Sequence, residues 1–408
     1  MGIERSLIEI VQNSATTKNE IPTVGHFVRP YLFQTGTWIY TQLINMKRYR
    51  PFVLTSALEN QDQFPFDKVY YYAQPFKGSR RWQIALRKGY EALTRGLERY
   101  YAEVIKVHKA QLLHAHFGTE GYNNLGIQKK TALPLVTTFY GLDVSKRPKE
   151  RPKWRERYRL LFDAGALFLA EGPFMAQALV DLGCPARKVR IQHLGVDVQR
   201  LQFMPRSRGD GQRVRILMAC SFREKKGIPY GIEAFAKAVR KYPNMELRII
   251  GGAKTRSERR LMERCKGIAL REGIAKRVGF LGYIPYSDYL KETTAAHIFL
   301  APSVRARDGD TEGGAPVSVI EASAAGLPVI ATRHCDIPNV IIDDETGVLV
   351  PERDIEALAE AILSLACAPE SWPALGEAGR RRVEKEFDLL QQVWRLESIY
   401  DDVNKPNL

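Results

Sequence analysis

The sequence predicts an α/β protein of two Rossmann-like domains, and three observations carry the prediction. First, 408 residues exceed what one ordinary core serves, and they fit two domains of roughly 200 residues each. Second, short apolar runs alternate with helix-length segments from Ile21 onward, the pattern of parallel strands joined by crossover helices. Third, residues 308–332, DGDTEGGAPVSVIEASAAGLPVIAT, read as a loop, a helix and a strand, with glycines where backbone would meet a ligand. The implied division is 1–205, 206–385 and a last helical segment, 386–408.

Hydrophobic residues make up 45% of the chain, the content of a soluble globular protein. No apolar run reaches the roughly 18 residues that span a bilayer, and MGIERSLIEI is too charged for a signal peptide, so a cytoplasmic location is expected. The five cysteines are odd in number, widely spaced and without a CxxC pair, which speaks against a disulfide framework or a zinc site. The net charge of +15 is unevenly placed: residues 1–205 hold 30 Lys and Arg against 17 Asp and Glu, and the rest hold 31 against 29. A basic first half points to an anionic partner, such as a phospholipid surface, a lipid-linked phosphate or nucleic acid. No zinc-finger, RRM or helix-turn-helix pattern accompanies the charge, so no nucleic acid is expected.

Residues 1–20 are polar and aperiodic and read as a loose arm. From Ile21 a strand ends near Phe27, and a loop with Gly36 and Thr37 leads into a helix, a first βα unit whose loop lies where open α/β sheets bind ligands. Phe52 to Thr55 reads as a second strand. Residues 79–110 carry Ile84, Leu93, Leu97, Tyr101 and Ile105 at helical spacing, with Arg80, Arg81, Arg87, Lys88, Arg95 and Arg99 interleaved with Trp82, Tyr90 and Tyr100. Two readings fit this helix: a membrane-interface element, or a solvated basic face on a core helix. In LLHAHFGTEG, His114 and His116 share one face of a strand; no third ligand follows at a recognised metal spacing. LPLVTTFYGLDVS is another buried strand with a glycine turn. Residues 146–159, KRPKERPKWRERYR, are the most basic stretch, fit for anionic lipid or a carrier pyrophosphate, or simply solvated. The polar segment 206–212 reads as the linker.

In the second half, Val214 to Ala219 is a strand, and the loop after it carries Lys225 and Lys226 before Gly227. Strand-like segments follow at 245–252, 278–285 and 297–303, with a long charged helix ahead of Ala275. In the stretch 308–332, a helix starts near Pro316, Gly326 stands where a C-terminal cap needs positive φ, and Val329 to Thr332 is a buried strand. The amides of Gly314 and Ala315 are left unpaired at the positive end of the helix dipole, in a segment with little side-chain bulk to keep an anion away. Glu312 stands ahead of this helix and Glu321 inside it, so one carboxylate can reach a group attached to the anion and the other a pair of ribose hydroxyls.

With those two acids about a Gly- and Pro-bearing helix start, the chain resembles the family 4 retaining glycosyltransferases of the GT-B fold, especially those that build bacterial exopolysaccharide. The resemblance covers about residues 21–403 and is strongest from Ala219 to Val350. It implies parallel sheets facing across a cleft, an acceptor site in the first domain, a donor site in the second, and a last helix crossing back to the first. The implied reaction moves a hexose from a nucleotide sugar to a hydroxyl of a saccharide acceptor, lipid-linked and at the inner face of the membrane, with retained configuration and no metal or other cofactor. By the same resemblance Glu312, Lys226 and His116 are the candidate catalytic residues. Glu321, Gly313, Gly314, Ala315, Ser221, Arg223 and Tyr283 are assigned to the donor, and Gly36, Tyr140 and Asp143 to the acceptor.

The chain departs from the family pattern in four places. GGAPVSVI between the two acids is one residue longer than usual, Ser221 replaces an Arg, Tyr140 replaces a His, and Asn339 replaces a Glu. Asp308 and Asp310 spell a DxD metal element, which the resemblance does not require. The departures at Ser221 and Tyr140 leave open a second reading, a GT-B protein that binds a nucleotide sugar without transferring it.

Overall fold

The computed structural model describes residues 21–72 and 86–405. The arm at 1–20, and the start of the basic helix at 79–85 with Arg80, Arg81 and Trp82, lie outside the described residues. From Leu86 to Val107 the segment is a helix, with Tyr101, Val104 and Ile105 buried in the core as the spacing requires.

The first half is one parallel sheet of seven strands: β1 (Thr23–Phe27), β2 (Arg50–Thr55), β3 (Val69–Tyr71), β4 (Leu112–His116), β5 (Leu135–Thr138), β6 (Leu167–Ala170) and β7 (Val189–Ile191), in the order β3-β2-β1-β4-β5-β6-β7. The second half is a parallel sheet of six: β8 (Val214–Ala219), β9 (Met245–Ile250), β10 (Val278–Gly282), β11 (Ile298–Ala301), β12 (Val329–Thr332) and β13 (Gly347–Val350), in the order β10-β9-β8-β11-β12-β13. Each order reverses direction once, between β1 and β4 and between β8 and β11. The loops leaving those strands diverge there and open a crevice at the carboxyl ends. The strands read as continuous apolar runs because helices cover both faces. Each half has its own core, the first around Phe27, Phe52, Phe139 and Phe168 and the second around Ile216, Phe235, Ile249 and Trp372. β3 was not expected; its three half-exposed residues carry too little pattern to be read.

The helix Leu389–Asn404 crosses back to the first half. Its N-cap Asp388 accepts from the Gln391 amide, and its apolar stripe of Leu389, Val393, Leu396 and Tyr400 packs on Val24, Leu112, Val136 and Leu169 of the first sheet. Each fully buried Leu or Val of that stripe contributes about 1.5–3 kcal/mol. Glu397 fixes the docking by accepting from the amides of Lys47 and Arg48 at 2.8 and 2.7 Å. Arg206, read as linker, is buried: its guanidinium donates to the carbonyls of Thr294 and Ala325, which ties this residue to the second half.

The basic stretch 146–159 forms two helices, Lys146–Glu150 and Lys153–Ala164. Trp154 and Tyr158 face the core, so its aromatics do not lie at an interface, whereas Lys149, Arg151, Lys153 and Arg155 are exposed. Among the described residues no helix is long and apolar enough to cross a membrane. The halves touch across the crevice: Lys146 pairs with Asp308 at 2.6 Å, and Asp336 accepts from the amides of Phe174 and Met175 at the start of the helix Pro173–Asp181.

Candidate active site

The loop–helix–strand of residues 308–332 forms as its composition requires. Pro316, with φ −59° and ψ 133°, caps the helix Val317–Ala324, and Gly326, with φ +81°, ends it before β12. Gly313 has φ +82° and lies against Gly141 of the other half, so a side chain there meets both backbone strain and a clash. Against expectation, the amide-bearing turn is not bare. The Glu171 carboxyl from the first half lies against Gly314, where any Cβ would strike it. Burial pushes its pKa well above the usual carboxylate range, and neighbouring Asp336 adds to this while Lys225 and Lys226 oppose it. Ala315 lines a hollow next to Glu171 and Asp336.

Glu312 accepts from Lys226 Nζ at 2.9 Å and from the Ser303 hydroxyl at 2.8 Å. Burial alone would raise its pKa, but Lys226 and Lys225 hold it down at about 2. Its backbone N–H donates to His334 Nε2 at 3.2 Å. That bond fixes the ring's proton on Nδ1, which donates to Glu352 at 2.6 Å. Lys225 Nζ donates to the Thr311 carbonyl at 2.7 Å, and Arg223 pairs with Asp310 at 2.5 Å. The loop after β8 thus brings three cations, Arg223, Lys225 and Lys226, against the carboxylates of Asp310 and Glu312, and Lys226 shares the wall of a hollow with Pro316 and Ser318 at the start of the Val317 helix. The Asp308 and Asp310 oxygens are engaged by Lys146, Arg223 and Lys225. Ser221 stands in the turn after β8, its carbonyl accepting from the Arg223 amide.

Glu321 is held between two phenols, accepting from Tyr289 at 2.8 Å and Tyr286 at 3.3 Å. Burial pushes its pKa up to about 7, tempered by those two hydroxyls. Tyr283, half-exposed after β10, covers Gly252 and lies 5.7 Å beneath the Lys254 ammonium.

On the first half, His116 is placed differently from its expected role in contact with sugar or acceptor. Its ring is fully buried, with Nε2 bonded to His26 Nδ1 at 3.0 Å and Nδ1 to the Tyr140 hydroxyl at 2.9 Å, so it stands behind Tyr140. His114 likewise spends both nitrogens, on Tyr400 and Thr138. With His26 these two form a buried trio whose ligand atoms lie within 4.8 Å of one another, a metal-like spacing invisible in the sequence because His26 comes from another strand. Five of their six ring nitrogens are already hydrogen-bonded inside the protein, which makes the trio a polar ladder through the sheet. Burial lowers all three pKa values, that of His116 to about 3, and keeps the rings neutral. Asp143 is buried too, its carboxylate accepting the Gly118 amide at 3.0 Å, and burial pushes its pKa up to about 7. It caps a helix of the first half instead of facing an acceptor. Gly36 caps the helix Thr37–Asn45 and donates to the Phe33 carbonyl. Sequence reasoning assigned no role to Glu171, Ser303, His334 or Asp336, whose contacts are made with other parts of the chain.

Two family profiles match the chain, "Glycosyltransferase Family 4" over residues 47–200 and "Glycosyl transferases group 1" over residues 200–382. The chain is 32% identical over 332 residues to a protein of Escherichia coli K12 named as a colanic acid biosynthesis glycosyltransferase, WcaL, covering 79% of this chain and 78% of that one. It is 32% identical over 282 residues to the amylovoran biosynthesis glycosyltransferase AmsK of Erwinia amylovora, covering 68% and 67%. Among solved structures, Anabaena Alr3699/HepE in complex with UDP and glucose superposes with a TM-score of 0.73 at 15% identity, over 93% of this chain and all of that one. The sucrose-phosphate synthase of Thermosynechococcus elongatus does so with 0.74 at 18% identity, over 94% and 99%.

Proposed function

The chain belongs to the family 4 glycosyltransferases of exopolysaccharide biosynthesis, with the GT-B fold, and from that premise we propose that it transfers a hexose from a nucleotide sugar to a hydroxyl of a lipid-linked saccharide, with retained anomeric configuration and without a metal. The observation that carries this reading is the pairing of Lys226 with Glu312 at 2.9 Å, next to the N-terminus of the helix that holds Glu321. In this reading the donor pyrophosphate lies at that helix terminus, beside the Glu171 carboxyl, where Lys226 and the helix dipole oppose the charge that develops as the glycosidic bond breaks. Glu321, already oriented by Tyr286 and Tyr289, accepts from the ribose hydroxyls. Glu312, held by Lys226, Ser303 and the His334–Glu352 pair, positions Lys226 and the reacting sugar. A metal is unnecessary in this scheme because Lys226 and the helix dipole supply the positive charge, while the aspartates that spell DxD are engaged by cations.

Acceptor recruitment follows from the exposed bases at Lys149, Arg151, Lys153 and Arg155. They draw the first half to anionic lipid at the cytoplasmic face of the membrane, by charge alone now that Trp154 and Tyr158 are buried. A second reading, nucleotide-sugar binding without transfer, draws on Ser221 at the usual Arg position and on Arg223 being turned to Asp310. A thermal-shift screen of UDP-, GDP- and ADP-sugars, followed by hydrolysis assays with those that bind, tests the proposal. Donor-stabilised protein that never releases free sugar or a glycosylated product would favour the second reading; no shift with any donor would sink both.

A further inference from the structure

Resting on the transferase reading, the geometry points to Glu171 as a further catalytic residue, whose carboxylate takes the proton of the acceptor hydroxyl on the face from which the pyrophosphate leaves. Glu171 directly follows β6, at the carboxyl end of the first sheet, so it belongs to the half opposite the donor helix. Its Oε2 is seated against Gly314, in space that only a glycine leaves. The backbone on both sides of it is held. His193 Nδ1–H donates to the Glu171 carbonyl at 2.6 Å, while the Asp336 carboxylate packs on Gly172 and accepts from the Phe174 and Met175 amides at 2.7 and 3.3 Å. The neighbouring acids Glu312 and Asp336 are thus engaged, whereas the Glu171 carboxyl makes no hydrogen bond or ion pair among the described residues.

Retention requires the new bond to form on the face from which the leaving group departs, so the acceptor proton is released beside the pyrophosphate. In the transferase reading the pyrophosphate lies at the start of the Val317 helix, and Glu171 stands there against Gly314. Its charge is felt on both sides of the cleft. On the acceptor side, burial and then Glu171 raise the pKa of the Tyr140 phenol; on the donor side, Lys225, Glu312 and Lys226 act on Glu171 itself.

The step balances as follows. The acceptor oxygen bonds to the anomeric carbon, its proton passes to Glu171 Oε2, and the bond from that carbon to the pyrophosphate breaks with its electron pair kept by the phosphate oxygen. Burial raises the Glu171 pKa, with Asp336 and Glu312 adding and Lys225 and Lys226 opposing, which makes the carboxylate a stronger base than an exposed one. Negative charge developing on the pyrophosphate strengthens it further as the proton arrives.

Steady-state transfer by the full chain tests this, from UDP- or GDP-hexose at saturation to octyl glucoside, galactoside and mannoside, with calorimetry of UDP and GDP beside it. In Glu171→Gln, kcat should fall about 10²–10⁴-fold, as loss of a general base implies, with nucleotide affinity not weakened. The parent kcat should rise with pH as the carboxylate forms, and the residual kcat of Glu171→Gln should lack that limb. Sodium formate should restore part of kcat to Glu171→Ala by placing a carboxylate in the vacated space, a rescue that a merely structural role does not permit. Turnover of Glu171→Gln within about threefold of the parent would overturn the assignment. So would raised turnover with tighter UDP or GDP binding, the mark of a carboxyl that only fills the phosphate site, or a Glu171→Ala protein indifferent to formate; the formate arm serves if Glu171→Gln does not fold. Each of these leaves the transferase reading standing, whereas a parent that binds nucleotide hexose and glycosylates no acceptor fails that reading and the assignment with it.

Discussion

Replacing Lys226 by Ala removes the ammonium that stands 2.9 Å from Glu312 Oε2. Two effects follow, and they are separable. The first is on turnover: a group that stabilises charge developing on the leaving pyrophosphate is worth about 2.7–4 kcal/mol, or about 10²–10³ in kcat. The second is on stability. Glu312, held at about 2, has a folded pKa below its ordinary value of 4.5. Its contribution is therefore present above that ordinary value and is lost as pH falls from about 4.5 toward 2. The shift corresponds to something on the order of 3 kcal/mol for the whole cluster. Lys225, at 3.6 Å from the same oxygen, and Ser303 keep part of that in the variant. At neutral pH Lys226→Ala should thus stay folded while kcat collapses. Steady-state transfer at saturating donor, beside urea unfolding at pH 7 and pH 4, reads both effects. Lys226→Arg, which keeps the charge, should recover part of kcat. Turnover of Lys226→Ala within threefold of the parent, with the protein equally stable, would refute the leaving-group role and shift attention to Lys225.

Three further outcomes are expected. Glu321 has its pKa raised to about 7, so donor affinity should strengthen as pH rises through that value and the carboxylate becomes able to accept from ribose; calorimetry on Glu321→Gln should show weaker binding with that pH dependence gone, and an unchanged profile would remove Glu321 from the site. The same raised pKa makes its stability contribution largest at low pH and lost as pH rises through about 7. Transfer should survive EDTA; activity abolished by chelation and restored by magnesium or manganese would reinstate Asp308 and Asp310 as ligands. Flotation should show binding to anionic but not neutral vesicles, each surface base contributing up to about 1 kcal/mol and high salt releasing the protein; equal binding to both vesicle types would discard the electrostatic account.

What could be read in the sequence was what local chemistry decides. The helix after Pro316, its end at Gly326 and the strand Val329–Thr332 follow from φ preferences and apolar runs a few residues long, and the structure reproduces them within a residue. The Lys226–Glu312 pair spans 86 residues of chain, and only the adjacency of β8 and β11 brings its members together. His116 misled for the same reason. Two histidines on one strand face look available, yet β1 and β5 pair on either side of β4 and deliver His26 and Thr138 to their nitrogens. Trp154 and Tyr158 stand in a run of bases, but their spacing along the helix Lys153–Ala164 turns them to the core. Glu171 at Gly314 and Asp336 at the Phe174 amide depend on one half meeting the other, which no pattern within either half records.

The central claim is retention of configuration at a site that binds the donor through the second half and the acceptor through the first. The most direct measurement is ¹H NMR of the anomeric region during transfer from a bound α-linked nucleotide hexose to a glycoside acceptor. The account predicts an α-linked product from the first turnovers, formed about 10²–10³-fold more slowly by Lys226→Ala. A β-linked product, or donor binding with no product from any acceptor, would contradict it.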